Sequence, residues 1–109
     1  MTTIRRSALF KRQLLQITGG YRDRAGSDIA LRFVDEIDEG INFIAERPYA
    51  CAIYTRIEGQ EFRKWRIGSF PVSAFFRIDT TGAIVLEALY AHRMNIDQRF
   101  VEEVEQPDL

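Results

Sequence analysis

The sequence has few of the residues that build metal sites and disulfides, and it has no run long enough for a membrane span. Its 109 residues include one cysteine, Cys51, and one histidine, His92, which excludes an internal disulfide and a Cys/His zinc site. No apolar run reaches the roughly 18 to 20 residues that cross a bilayer, because the best candidate, residues 83–91, contains Glu87. The N-terminal segment mixes charged with apolar residues, unlike a secretory signal. These absences predict a cytoplasmic chain without a metal, a cofactor or a membrane partner.

A surplus of charge of one sign is also missing. The chain carries 15 Lys and Arg against 16 Asp and Glu, which gives a formal net charge of -1. Proteins that bind nucleic acid through its phosphates usually show a large basic surplus. Residues 97–109 are instead strongly acidic and are predicted to form an acidic C-terminal helix and tail. The composition therefore predicts that the chain alone does not bind nucleic acid directly with sequence specificity.

The remaining composition suits one folded unit. Hydrophobic residues make up 46% of the chain and aromatic residues 12%, which is enough for a core and too much for intrinsic disorder. A chain of this length leaves no room for a second domain of ordinary size. Residues 1–109 are therefore predicted to form a single domain.

Two amphipathic helices are predicted in the first half of the chain. Ser7 is suited to cap a first helix of about three turns, which a glycine pair at residues 19–20 ends. The second helix is predicted to begin at Ser27 or Asp28 and to end near Glu46, because the proline that follows disfavours helical geometry at the residue before it. Its apolar residues recur three or four apart on one face: Ile29, Phe33, Ile37, Ile41 and Ile44.

The second half of the chain changes to the alternating pattern of strands. Residues 62–67, 71–79 and 83–91 are predicted to form an antiparallel meander, with the last and most apolar strand at its centre. Residues 2–6 suit a short first strand, and residues 97–104 a short final helix. The predicted fold is α+β: an N-terminal strand, an antiparallel two-helix hairpin packed on a mostly antiparallel sheet of three to four strands, and a short C-terminal helix.

Residues capable of chemistry gather on the predicted strands: Arg63, Lys64, Arg66, Arg77, Tyr90, His92 and Arg93. Neighbouring strands lie about 4.8 Å apart, so we expect these groups to converge. Arginine binds phosphate bidentately and imidazole titrates near neutral pH, so the set suits either RNA cleavage or docking onto an acidic protein surface. The structural alternatives are plain ion pairs for the arginines, a packed ring for Tyr90 and a strand-end position for His92.

Two stretches of the chain resemble the RelE/ParE toxin superfamily. Residues 26–50 are similar to its second helix and the following proline loop, and residues 62–96 to its three-strand core. The elements that carry the resemblance to ParE-type members are an Arg-bearing strand, a Phe-Pro turn, an aromatic-rich strand and a final His and Arg: Arg63, Phe70 with Pro71, Phe75 with Phe76, and His92 with Arg93. The resemblance implies the toxin of a type II toxin-antitoxin system, which a cognate ParD-like antitoxin neutralises in a hetero-oligomer.

The resemblance leaves two targets open. RelE-like members are ribosome-dependent mRNA endoribonucleases, whereas ParE-like members inhibit DNA gyrase and replication without a known enzymatic activity. The near-neutral charge and the lack of a basic, Tyr-bearing segment after Arg93 favour the ParE-like function. The expectation is therefore a gyrase inhibitor that is not an enzyme. A degenerate toxin that acts only as an antitoxin partner is a third reading.

Each target gives the candidate residues different roles. For a gyrase inhibitor, the resemblance makes them target-docking candidates: Arg63, Arg66, Arg77, His92 and Arg93. For an mRNA endoribonuclease, the arginines at 63, 77 and 93 would bind phosphate, and His92 or Tyr90 would act in proton transfer. The sequence offers no residue-by-residue prediction of the antitoxin contacts.

Overall fold

The computed structural model describes residues 2–104 and folds them into five strands and three α-helices. In chain order these are β1 (Ile4–Arg6), α1 (Ala8–Ala25), α2 (Ser27–Glu46), a short 3-10 turn (Pro48–Ala50), β2 (Ala52–Ile57), β3 (Gln60–Arg66), β4 (Val72–Ile78), β5 (Ile84–Ala91) and α3 (Ile96–Glu103). The strands form one sheet in the order β1-β5-β4-β3-β2, in which only the β1–β5 pair is parallel. The predicted α+β architecture is confirmed, with a sheet of five strands instead of three to four.

Helix α1 begins where the sequence predicts and ends later. The Ser7 hydroxyl accepts a hydrogen bond from the Phe10 N–H at 3.0 Å, which confirms the predicted cap. The predicted end at residues 19–20 is wrong, because the helix continues to Ala25 and stops at Gly26, whose φ is +93°. Glycine inside a helix costs only about 0.5–1 kcal/mol relative to alanine, so packing of α1 against the sheet outweighs it.

Helix α2 confirms the prediction from periodicity at both ends. It runs from Ser27 to Glu46 and buries one apolar face. The side chains of Phe33, Ile37 and Ile44 are at most 1% exposed, and they pack with those of α1 and the sheet in the larger of two cores. The two helices thus form the predicted antiparallel hairpin on one face of the sheet.

Strand β2 was not predicted, and β5 is not the middle strand. The pairing of β2 with β3 shifts register between Ile53 and Thr55, so a bulge at Tyr54 interrupts the alternation on which the sequence prediction depends. The predicted central strand, β5, lies between β1 and β4, and β4 occupies the middle of the sheet. Along its second half, where β1 has ended, α1 covers the edge of β5: the Gln13 side chain accepts a hydrogen bond from the Leu89 N–H at 2.7 Å.

A second, aromatic core lies on the opposite face of the sheet, under α3. Phe100 of this helix is 2% exposed and packs edge-on against Phe62 and close to Phe75. The short C-terminal helix is therefore confirmed, and the remainder of the predicted acidic tail, residues 105–109, lies outside the described residues. Within residues 2–104, no helix is long and apolar enough to cross a membrane.

Candidate functional site

The cations of the sheet fall into two groups with different surroundings. Toward the β2–β3 and β4–β5 turns, four arginines form ion pairs with carboxylates: Arg5 with Asp79, Arg56 and Arg63 with Glu61, and Arg77 with Glu87. We call this the paired end of the sheet. The opposite end contains the β3–β4 turn at residues 67–71 and the last residues of β5, and we call it the turn end.

Arg63 belongs to the paired group and is largely buried. Its side chain is 12% exposed, Nη1 donates to the Cys51 carbonyl at 2.7 Å, and Nη2 lies 3.2 Å from a Glu61 carboxylate oxygen. The guanidinium also lies over the Tyr49 ring, 5.2 Å from its centroid. Burial raises the pKa of the neighbouring Cys51 thiol, an effect that Arg63 opposes. Arg63 thus fastens the segment that follows α2 to the sheet.

Arg77 lies on the opposite face of the sheet from Arg63, and far along β4 from Ser73. Its Nε donates to Glu87 at 2.9 Å. In the β4–β5 register Arg77 pairs with Val85, whereas Ser73 pairs with Tyr90. Four residues of strand separate Arg77 from Ser73, which corresponds to about 13 Å. The Arg77 guanidinium therefore forms its ion pair at the paired end, away from Ser73.

Tyr90 lies inside the aromatic core. Its ring is fully buried, and its hydroxyl donates to a Glu103 carboxylate oxygen at 3.1 Å. Burial and then the Glu103 carboxylate raise the pKa of Tyr90 well above its usual range, so the phenol stays protonated near neutral pH. Its position indicates a structural contact that holds α3 on the sheet.

His92 and Arg66 come together at the turn end, with Lys64 beside them. His92 Nε2 lies 2.8 Å from Ser73 Oγ, while Arg66 Nε donates to the Phe70 carbonyl at 3.1 Å. Burial, and then the positive charges of Arg66 and Lys64, hold the pKa of His92 below its usual range. In the part of the chain that the structure describes, neither Arg66 nor Lys64 forms an ion pair.

Ser73 is the member of this cluster that is not among the candidates predicted from the sequence. Its only signal in the sequence is a hydroxyl residue in a strand that is otherwise mostly apolar. That signal does not distinguish a buried strand serine from one that bonds to an imidazole. The contact depends on the Ser73–Tyr90 register, which places the end of β5 beside the start of β4.

Arg93 points to a different surface from His92, its neighbour in the chain. It lines a cleft of about 370 Å³ between α1 and the turn end, together with Arg24 and several apolar residues. The predicted convergence of all the candidates is therefore wrong: the structure joins Arg66 and His92, and separates them from Arg63, Arg77, Tyr90 and Arg93. Strand alternation places Arg63 on the opposite face from Arg66, distance along β4 separates Arg77, and burial under α3 encloses Tyr90.

Comparison with known protein families shows which family has this sequence. The sequence model of the ParE toxin of type II toxin-antitoxin systems, parDE, matches residues 4–96. The chain belongs to the ParE toxin family. The match covers the sheet and the helical hairpin, and it stops where α3 begins. It confirms the ParE-type resemblance read from the Phe-Pro turn and the flanking strands.

A solved ParE-type assembly shares this fold. One chain of the structure described as the chromosomal ParDE TA system from P. aeruginosa superposes on this ParE protein with a TM-score of 0.70. The two chains are 20% identical, and the superposition covers 84% of this chain and 96% of the other. At that identity the likeness shows the fold. No curated protein sequence matches the chain significantly.

Proposed function

We propose that this ParE-type toxin inhibits DNA gyrase by binding, without a catalytic step of its own, and that a cognate ParD-like antitoxin neutralises it in a hetero-oligomer. The observation that carries the proposal is the separation of the candidate acid, base and phosphate-binding groups within a fold matched over residues 4–96 to ParE toxins. Arg63 and Tyr90 are buried in structural contacts, so neither is available to a substrate in this conformation.

The accessible candidates lie at one end of the sheet. Arg66, His92 and Arg93 are exposed at the turn end, with Arg93 on a different surface from the other two, and we propose all three as residues that dock onto the target. Arg63 and Arg77 instead form ion pairs with Glu61 and Glu87. We assign these two arginines to the stability of the sheet.

Induced expression without the antitoxin tests the proposal when DNA and protein synthesis are followed separately by pulse labelling. DNA synthesis is expected to stop first, with filamentous cells and an SOS response. A matched pair of variants links the effect to the surface: Arg66→Ala is expected to weaken toxicity, and Arg12→Ala, on an exposed position of α1, to leave it unchanged. Purified toxin in excess that neither inhibits gyrase supercoiling nor traps cleaved DNA would contradict the proposal.

A second candidate function, ribosome-dependent mRNA cleavage, is favoured by one observation. The His92 imidazole lies 2.8 Å from the Ser73 hydroxyl, and Arg66 and Lys64 add positive charge beside it. Because the pKa of His92 is lowered, the neutral ring is available to accept a proton near pH 7 while the cations hold a phosphate. Translating ribosomes incubated with the toxin would then yield cut mRNA, and His92→Ala would abolish the cuts. Intact mRNA would rule this function out.

A further inference from the structure

The turn end carries a set of exposed cations without carboxylate partners. Its members come from α1, α2, β3 and the residues after β5: Arg24, Arg32, Lys64, Arg66 and Arg93. Within residues 2–104 none of them forms an ion pair, in contrast to Arg5, Arg56, Arg63 and Arg77. Glu36 and Glu39 lie with Arg66 along the separate groove between α2 and β3, and they do not line the cleft that holds Arg93.

That cleft combines an apolar lining with two guanidinium groups. Its volume is about 370 Å³. The apolar part of the lining consists of Ile17, Tyr21, Pro71, Ala91 and Met94. Arg24 on α1 and Arg93 after β5 supply its charge. Sites that bind ligands commonly have this composition, with a mostly apolar surface and a few polar groups that fix orientation.

The position of Arg24 depends on a glycine in α1. A Cβ atom at Gly20 would lie 2.8 Å from Arg24 Nη1, so the guanidinium occupies space that any other side chain would take. The same guanidinium lies over the Tyr21 ring, 5.6 Å from its centroid. In this conformation the guanidinium lies against the cleft. At the adjacent Gly19, a Cβ would make only an ordinary contact, 3.7 Å from Arg22 Nη2.

We propose that this cleft binds a segment of a partner polypeptide that carries an apolar side chain flanked by carboxylates. The apolar lining would bury that side chain, and Arg24 and Arg93 would pair with the carboxylates. A nucleic-acid backbone would satisfy the arginines and leave the lining without an aliphatic partner, so the chemistry favours a polypeptide. Under the proposed function, the antitoxin supplies this segment, so the identity of the partner rests on that function. The chemistry of the segment is inferred from the lining of the cleft alone.

Selection of peptides tests the cleft independently of the antitoxin. A library of random twelve-residue peptides is selected on the wild-type protein after depletion on the Arg24→Glu/Arg93→Glu variant. We expect enriched peptides with a Leu, Ile, Met or Phe beside Asp or Glu. A fluorescently labelled enriched peptide should bind the double variant at least tenfold more weakly than the wild type. The Lys11→Glu/Arg12→Glu variant, with the same change of charge on exposed positions of α1, should bind it like the wild type.

The glycine pair gives a second test that does not depend on charge reversal. Gly19→Ala and Gly20→Ala each favour the helix, since alanine is the better helix former. Only Gly20→Ala displaces the Arg24 guanidinium, so it should weaken peptide binding severalfold while Gly19→Ala leaves binding unchanged. Enriched peptides without carboxylates, or equal binding to all variants, would overturn the proposal. Equal displacement of the peptide by a twelve-nucleotide single-stranded RNA or DNA would also overturn it, in favour of a nucleic-acid site.

The purified antitoxin then separates this inference from the proposed function. Antitoxin that displaces the labelled peptide from the wild-type protein supports the assignment of the segment. Antitoxin that binds the toxin without displacing the peptide overturns that assignment. Antitoxin that does not bind the toxin at all contradicts the proposed function, while the peptide measurements still decide whether the cleft has the proposed chemistry.

Discussion

Arg63 and Arg66 stand three residues apart on β3 and face opposite sides of the sheet. Arg63 is held between Glu61 and the Cys51 carbonyl, beside the helical hairpin. Arg66 is exposed near His92, where its guanidinium bonds to the carbonyls of the β3–β4 turn. Substitution of each arginine therefore tests a different property. Loss of Arg63 leaves a partly buried carbonyl without a donor and reduces stability, whereas loss of Arg66 mainly changes the charge of an exposed surface.

The titration of His92 provides a direct probe of the turn end, because it is the only histidine in the sequence. Burial is the largest cause of its lowered pKa, followed by Arg66 and Lys64, so Arg66→Gln is expected to raise the pKa toward its ordinary value. Titration of the His92 ring protons by NMR measures it. Arg5→Gln, at the paired end, should leave the pKa where it is, and an equal rise in both variants would contradict this assignment.

The same lowered pKa links His92 to stability. The folded state favours the neutral ring, so the contribution of His92 to stability is complete above its ordinary pKa of 6.5 and is lost as the pH falls below that value. The free energy of unfolding should therefore decrease on acidification through this range. Arg66→Gln should make the decrease shallower, because it brings the folded and unfolded pKa values closer together.

Tyr90→Phe should affect stability and spare toxicity. The ring would still fill the aromatic core, and the variant would lose the hydrogen bond from the hydroxyl to Glu103. A hydrogen bond to a charged acceptor contributes about 1.5–3 kcal/mol, so the free energy of unfolding measured with urea should fall by about that amount. Toxicity measured by colony counts should persist. A stable Tyr90→Phe protein without toxicity would instead place the phenol in the mechanism.

At the scale of elements, α3 covers the face of the sheet opposite the helical hairpin, so the sheet has a core on each face. Its residue Phe100 closes the aromatic core, whereas Val101 on the same helix is 47% exposed. Phe100→Ala is expected to lower the free energy of unfolding by about 3–5 kcal/mol, because it removes a large buried ring. Val101→Ala should change it by no more than about 0.5 kcal/mol. Urea denaturation compares the two, and similar losses would show that α3 does not depend on Phe100 for its packing.

The elements differ in how well the sequence predicts them, for physical reasons. The apolar periodicity of α2 continues without a break from Ile29 to Ile44, and the predicted ends of this helix agree with the structure. The predicted end of α1 is wrong because the tertiary packing of the helix outweighs the weak helix propensity of two glycines. Strand β2 was missed because the bulge at Tyr54 breaks the alternation that identifies a strand.

The candidate site was predicted in its residue types and not in its arrangement. The sequence indicates which residues are cationic, whereas the partner of each cation is set by register across strands. Arg77 meets Glu87 because β4 and β5 pair there, and His92 meets Ser73 for the same reason. The cleft that contains Arg24 forms because α1 packs against the turn end. A local sequence pattern does not predict this tertiary contact.

At the scale of the whole molecule, the near-zero net charge conceals a division between the two ends of the sheet. Ion pairs neutralise four arginines of the paired end, and the cations of the turn end remain exposed to partners. Unpaired surface charge of one sign accelerates encounters with an oppositely charged partner and makes them sensitive to salt. Under the proposals above, an antitoxin segment seated beside Arg93 would also cover a residue of the target-docking surface.

This overlap predicts how a toxin variant behaves in cells. Gly20→Ala moves the Arg24 guanidinium and leaves the exposed residues Arg66 and His92 in place, so the variant should stay toxic and require more antitoxin for neutralisation. Colony counts at graded antitoxin expression, with a fixed level of toxin, measure the shift. Gly19→Ala is the matched control and should be neutralised like the wild type. Identical curves for the two variants would contradict this prediction.

The parallel pairing of β1 with β5 also bears on when the protein becomes active during synthesis. Residues Ile4–Arg6 find their partners at Ile84–Leu86, about eighty positions later in the chain. The chain is made from its N terminus, so the first strand and the apolar face of the helical hairpin leave the ribosome before the middle of the sheet exists. The turn end also needs the last residues of β5. Translation must therefore pass the last residues of β5 before this surface forms, so a ribosome that stalls earlier releases a chain without it.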